Sequence, residues 1–428
     1  MRHRPLPSSL LLLVSAGLLS AALVAPAGAR QGDAQKAPPF GSSLKRPKPP
    51  APGAQASDEE PPEEVVRVDT SLVLLDVLVT QAGGAKAVAG LRGEDFAVSE
   101  DGRPQAVSFF APGDDAEKLP RSILLIFDRS DSQLAYLDAS VEAAKKLVKH
   151  LAPSDEMAIA TDDVHLVVGY TRDKKRLRQT LDALKRWTLQ GYRTRSMQFS
   201  TLLAAVRELT AGRRRPIIIL QTDGDEVGRL SGWPAVAGEQ ETPYGYRMED
   251  VYAEVERSRA KIYTVVTNER LLGLAPEEAE ARARATLEKQ RAASAKTRDM
   301  WYGLKRLPPE SDERPSAAAA AQFRMSEDVL RKFREKMERR GVETLIQGQV
   351  AADRVAALTG GWTSFLERPE QADEIYGRIL ADINSRYVLG YYPTNKAAGG
   401  ALRQVRVEVR GHPEYAVEGR RSYYALPR

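Results

Sequence analysis

The sequence predicts an α/β fold, a mostly parallel sheet with helices on both faces, flanked by β-strand segments that form a small β-sandwich-like module. Three observations predict it. From Pro120 onward, short apolar runs alternate with amphipathic helical patterns. Two of those runs, "ILLIF" and the "PIIIL" of "PIIILQ", are apolar throughout, as strands buried on both faces must be. Before and after this region lie Val-rich segments broken by turn signals, with no helical period.

The chain has 428 residues, of which 42% are hydrophobic, enough for two to three domains and a sizeable core. Residues 1–29 read as a secretory signal: Arg2 and Arg4, an apolar run from Leu10 to Val24, then Ala27-Gly28-Ala29 before the cut. No later stretch is apolar over the length of a membrane span. Cysteine is absent, which excludes a disulfide framework, a lipid-attachment cysteine and thiolate metal ligation. The expectation is an exported chain, periplasmic or extracellular, with no stable membrane span and with stability from packing. The formal charge of +5 falls to +3 without Arg2 and Arg4. Acids and bases interleave, so the surface is mixed and no nucleic-acid stripe is expected.

Residues 30–64 are Pro-rich with scattered charge and are expected to be an extended linker or disordered spacer. Residues 65–115 form the first β segment, with "AGG" and "EDG" as turns, the second a hairpin. The α/β domain spans 120–386. "SILLIF" is its first strand, and Leu134, Leu137, Val141, Ala144, Val148 and Leu151 mark one face of the next helix. "EMAIAT" and "VHLVVGY" are strands separated by Asp162 and Asp163, which read as a hairpin turn. Asp173 caps a helix carrying Leu177, Leu181 and Leu184. "STLLAAVREL" is a helix, "PIIILQ" a strand, Met248 to Ala260 a helix and "KIYTVV" a strand. Residues 272–345 are rich in Ala, Glu, Arg and Lys and read as a charged helical insertion. A helix from Val350 to Leu358, a Gly360-Gly361 turn, the strand "WTSFL" and a helix from Gln371 to Ser385 complete the domain. Residues 387–428 are β again, and "RQVRVEVRG" reads as a strand with one wet face. Neither flanking segment can bury a face alone, so the two are expected to join in one module.

In an open parallel sheet, the ligand site lies at the carboxyl ends of the strands. There "ILLIF" ends in Asp128 and "IIILQT" ends in Asp223, within "TDGDE". Asp128, Ser130 and Ser132 form a D-x-S-x-S spacing, and in an extended loop such alternate residues aim to one side. A carboxylate and two hydroxyls are hard oxygen ligands, suited to Mg2+ or Mn2+ and not to zinc or copper. The set is incomplete, and Asp223 and Thr201 are the candidates to complete it. The four histidines are scattered, which disfavours a His-based metal site or a Ser-His-Asp nucleophile.

Taken together, "ILLIFDRSDS", the "ST" of "MQFSTLL" and "IIILQTDG" resemble a von Willebrand factor type A (VWA) domain with its metal-ion-dependent adhesion site (MIDAS). The flanks "LLDVLVTQAGGAKAVAGLRGEDFAVSEDGRPQAVSFF", "ADINSRYVLGYYPTN" and "GRRSYYA" are similar to the bacterial VWFA-related family common in acidobacteria. The likeness covers about residues 70–268 and 350–425. It implies a Rossmann-like sheet and metal ligation through the Ser130, Ser132 and Thr201 hydroxyls, with Asp128 and Asp223 bound directly or through water. It also implies that an acidic side chain of a partner protein fills the remaining position. Two departures stand out. "MQFSTLL" lacks the family's glycines before the threonine, which leaves Ser200 as a neighbouring candidate and a helix N-cap as another role for either residue. Arg129 and Asp131 replace small residues after Asp128, Asp131 adding negative charge that Arg129 offsets.

Two other classes remain open at the level of sequence. One is a structural scaffold with a degenerate, metal-free site. The other is a Mg-dependent phosphoryl hydrolase with an aspartyl nucleophile. In such enzymes a second Asp commonly stands two residues on; here that residue is Ser130, so the general acid–base carboxylate is missing and no catalysis is expected.

Overall fold

The computed structural model describes residues 39–44, 72–81, 87–116, 118–189, 196–226, 246–304, 327–396 and 400–425. The expected signal peptide and most of the Pro-rich segment lie outside the described residues. The strands are β1 (Val73–Gln81), β2 (Phe96–Glu100), β3 (Arg103–Gln105), β4 (Val107–Ala111), β5 (Ser122–Phe127), β6 (Glu156–Thr161), β7 (His165–Thr171), β8 (Pro216–Thr222), β9 (Lys261–Thr267), β10 (Thr363–Leu366), β11 (Tyr387–Tyr391), β12 (Leu402–Val409), β13 (Tyr415–Glu418) and β14 (Ser422–Tyr424). One turn of helix, α1 (Gly113–Ala116), precedes α2 (Leu137–His150), α3 (Lys174–Leu189), α4 (Gln198–Glu208), α5 (Met248–Arg257), α6 (Pro276–Leu304), α7 (Glu327–Leu358) and α8 (Ala372–Asn384).

The central sheet has the order β10-β9-β8-β5-β6-β7. Its pairs are parallel except β6–β7, a hairpin turned at Asp162-Asp163-Val164 with Val164 at φ 59°. The period of two in β5 shows why its sequence is apolar at every position. Ile123, Leu125 and Phe127 join one core with Val141, Leu177 and Ile379, whereas Leu124 and Ile126 join the other with Leu203, Val255 and Val355. Helices α2, α3 and α8 thus cover one face, and α4, α5 and the end of α7 the other. Asp173 caps α3 as expected, its Oδ1 accepting the Lys175 and Arg176 amides at 2.9 Å. At the amino edge Arg121 clasps Asp155 with two bonds of 2.9 and 2.6 Å and reaches Asn384 Oδ1 at 2.6 Å, fastening β5 to α8.

The flanking segments do join. One antiparallel sheet has the order β13-β1-β11-β4, the other β14-β12-β2-β3. Val73 lies opposite Tyr391 and Val98 opposite Val407, so each sheet mixes strands from both ends of the chain. Between them Leu75, Val77, Phe96, Leu389 and Val405 make one core. The expected "EDG" hairpin is present, with Asp101 and Gly102 both at positive φ, 48° and 77°. Arg403 departs from the wet-face expectation for β12. It turns inward to Glu100 at 2.9 Å, where the Tyr391 and Tyr423 hydroxyls also donate.

Two other expectations change. The insertion and the helix after it are continuous: α7 runs 32 residues, and its middle packs on α6 through Ala279, Ala283, Val342 and Leu345. Part of the Pro-rich spacer is ordered against the domain. Leu44 is buried beside α4, and the Gly41 and Ser43 amides donate to Glu208 at 2.8 and 2.7 Å. Among the described residues, no helix is long and apolar enough to cross a membrane.

Candidate functional site

Strands β5 and β8 are neighbours in parallel register, Phe127 opposite Gln221, so the residues that follow them emerge at the same edge. Asp128 is fully buried and Asp223 nearly so. Asp128 Oδ1 accepts the Ser130 amide at 2.8 Å, which curls the chain back on its own side chain. The loop is therefore not extended as the spacing suggested, and Asp131–Gln133 form a 3-10 turn. The curl still gathers the expected oxygens. The Ser130 and Ser132 hydroxyls are 2.9 Å apart, and Ser132 donates to Asp223 Oδ2 in a very short bond. Four sequence-predicted residues, Asp128, Ser130, Ser132 and Asp223, thus form one connected cluster. The Asp131 side chain lies outside the described residues, and Arg129 is directed to Asp163, 3.7 Å away.

Thr201 is not part of the cluster. It is the fourth residue of α4, and its hydroxyl accepts the Val164 amide at 3.0 Å and donates to the Thr161 carbonyl at 3.3 Å. Ser200 is elsewhere too, donating to Glu226 Oε1 at 2.6 Å. Neither is the N-cap, which is Met197; Glu226, from another loop, accepts the Phe199 and Ser200 amides of the first turn at 2.7 and 3.3 Å. The residue of α4 that does reach the cluster is Gln198, at its first position and wholly buried. Its amide nitrogen lies 2.6 Å from Asp128 Oδ2, 2.9 Å from Asp223 Oδ1 and 2.6 Å from Ser196 Oγ. Its Oε1 accepts the Gly224 amide at 3.3 Å. Asp162, read from sequence as a turn, also contributes: its Oδ1 accepts the Arg129 amide at 3.2 Å. Polarity alone marked Gln198 and Ser196 in "SMQFST".

The electrostatics follow from burial without enough positive charge. Burial, then the Asp223 and Asp162 carboxylates, push the Asp128 carboxyl well above the usual range. Burial, then Asp223, lift Asp225 to about 7. Burial lifts Glu226 to about 8, against the opposing bonds from Ser200 and Phe199. A divalent cation is one way to relieve such crowding. The donor set fits one: two carboxylates and two hydroxyls, all hard oxygens, on adjacent loops. Among the described residues no three His, Asp or Glu side chains form a metal-binding group, so the hydroxyls and water must supply the remaining ligands. At present the Gln198 N–H groups hold the two carboxylates together.

No family model matches the chain, and no curated protein does. Solved structures give distant likenesses. BatB from Bacteroides thetaiotaomicron is 13% identical, with 61% of this chain and 96% of that one covered at a TM-score of 0.31. The vWF domain of the type V pili tip protein Mfa5 from Porphyromonas gingivalis is 12% identical, with 62% and 95% covered at 0.30. Proximal thread matrix protein 1 from the mussel byssus, with a zinc-occupied MIDAS motif, is 13% identical, with 35% and 39% covered at 0.25. At these scores the likenesses add no weight to the site, which stands on its own residues.

Proposed function

We propose that this chain is an exported VWA-domain protein that binds a protein ligand through a divalent cation, Mg2+ or Mn2+, at the carboxyl edge of its parallel sheet. Asp128, Ser130, Ser132 and Asp223 would hold the ion, and an acidic side chain of the ligand would complete its coordination. The observation that carries this reading is the Ser130–Ser132–Asp223 chain of hydroxyl and carboxylate contacts, closed across 91 residues of sequence. No catalysis is assigned to it. Ser130 offers no acid–base carboxylate, and binding needs none.

A second reading, a metal-free scaffold, is favoured by Gln198, whose amide already bridges the two carboxyl groups by donation. For an ion to enter, that amide must leave or turn its Oε1 inward. Melting of the purified mature protein in EDTA against Mg2+ or Mn2+, for wild type and Asp128→Ala, separates the two. An ion that binds the folded site raises the wild-type melting temperature by mass action and leaves the variant unmoved. No metal-dependent shift, or equal shifts in both proteins, would leave the scaffold reading standing.

A further inference from the structure

At the opposite edge of the parallel sheet, where it meets the β module, positive charge is buried in excess. Lys261 opens β9 and is 8% exposed. Its ammonium makes one hydrogen bond, 3.3 Å to the Asp76 carbonyl, and has no carboxylate within ion-pairing distance among the described residues. Arg386, just before β11, is 1% exposed and bonds Asp382 Oδ2 through Nε at 3.1 Å and Nη2 at 2.9 Å. Arg215, before β8, is paired with Asp76. Arg420, from the strand-to-strand link after β13, spends its terminal nitrogens on the Glu256 and Ala260 carbonyls at 3.0 and 2.8 Å. With Arg259, which lines the same space and repels Arg420, five cations therefore face three carboxylates, Asp76, Asp382 and Glu256.

The five cations line a cavity of about 40 Å3, together with Asp76 and Tyr263. A water needs roughly 10–15 Å3 of such space, so the cavity has room for about three waters or one small polyatomic ion. A buried lysine that no carboxylate touches is costly, with Asp76 and Asp382 acting on it only from a distance, and a cavity beside it is where a counter-charge can sit. Burial, then Arg386, hold the Lys261 ammonium well below its ordinary range, and burial brings the Arg420 guanidinium to about 10. An anion in contact would reverse both effects.

We propose that this cavity binds a small free oxyanion of the phosphate or sulfate class, held by Lys261 and Arg420 in the field of Arg386, and that the bound ion ties the parallel sheet to the β module. Lys261 belongs to the sheet and Arg420 to the C-terminal β segment, so the ion contacts both bodies at once. The inference is independent of any cation at the carboxyl edge.

The test is melting of the full mature chain in inorganic phosphate, sulfate and chloride at matched ionic strength, for wild type, Lys261→Met and Arg420→Gln. Phosphate and sulfate are expected to raise the wild-type melting temperature about 2–4 °C above chloride. Lys261→Met removes the buried amine without removing its packing and is expected to abolish that increment. Equal effects of the three anions overturn the proposal, with Lys261 then held neutral and its cavity filled by water. Retention of the full increment by Lys261→Met overturns it too. If Lys261→Met does not fold, Arg420→Gln decides: loss of at least half the increment supports the site, and an unchanged increment refutes it.

Discussion

Replacing Gln198 with Met tests how the carboxyl edge is held together. Met has nearly the length and volume of Gln, so the substitution removes donors without opening a cavity. Two N–H bonds to buried carboxyl groups are lost, at 2.6 and 2.9 Å, and with them the Oε1 contact to the Gly224 amide. A hydrogen bond to a charged partner contributes about 1.5–3 kcal/mol, so the pair is worth about 3–6 kcal/mol in chelator-treated protein. With each 1 kcal/mol moving the melting temperature by about 2–4 °C in a domain of this size, a fall on the order of 10 °C is expected in EDTA. Differential scanning calorimetry in EDTA and then in Mg2+ provides the measurement. A divalent ion would take over the task of the lost donors, so Mg2+ should restore most of the fall and shift the variant more than wild type. A variant that melts within about 1 °C of wild type in EDTA would refute the idea that the amide holds Asp128 and Asp223 together. A large fall that Mg2+ leaves untouched would refute the cation's part in it.

Thr201→Val should leave any Mg2+ increment intact while lowering stability by about 1–3 kcal/mol, since the Val164 amide loses its acceptor; a variant blind to Mg2+ would return Thr201 to the site. Asp155→Ala strands the fully buried Arg121 and should cost about 3–5 kcal/mol, read as a lower urea midpoint at unchanged slope. The Glu226 pKa is raised in the folded state, from 4.5 to about 8, so the native protein keeps a proton that the unfolded chain releases. Its contribution to stability is therefore present below about 4.5 and declines as pH rises through that window, by up to about 1.4 kcal/mol per unit. Glu226→Gln should flatten this decline in melts taken across the window, and parallel pH profiles for the two proteins would contradict it.

Much of the fold was legible because its strands carry their burial in their composition. Ile123–Phe127 and Ile217–Leu220 have no polar position to spare, and each ends abruptly in polar residues leading to an acid at the same edge of the sheet. Asp128, Ser130, Ser132 and Asp223 could therefore be placed together from sequence. Thr201 could not be placed, because the start of α4 is set by a residue from another loop. Glu226 accepts the amides of Phe199 and Ser200, so the first turn begins earlier than the serine and threonine suggested. That offset puts Gln198 in the cluster and turns Thr201 toward Val164. Asp162 reads from sequence only as a turn residue for a related reason: its backbone makes the turn while its side chain serves the Arg129 amide, and sequence exposes the first role alone. The docking of Leu44 is a tertiary contact inside a segment whose composition is that of a spacer.

Gly224 follows Asp223 directly and adopts φ +85°, and a side chain there would come within 2.5 Å of the Gly348 backbone in α7. The reverse substitution meets Gly224 at the same distance. The two positions therefore form one steric constraint across the chain, and the loop that carries Asp223 reads the rotational phase of α7. An α-helix turns about 100° per residue, so adding or deleting one residue before Gly348 would swing a neighbouring side chain toward Gly224 unless the helix were reset. The helical phase of α7 at Gly348 is thus set by the loop beside the candidate site, and a residue added or removed within α7 before that point would be felt at Asp223.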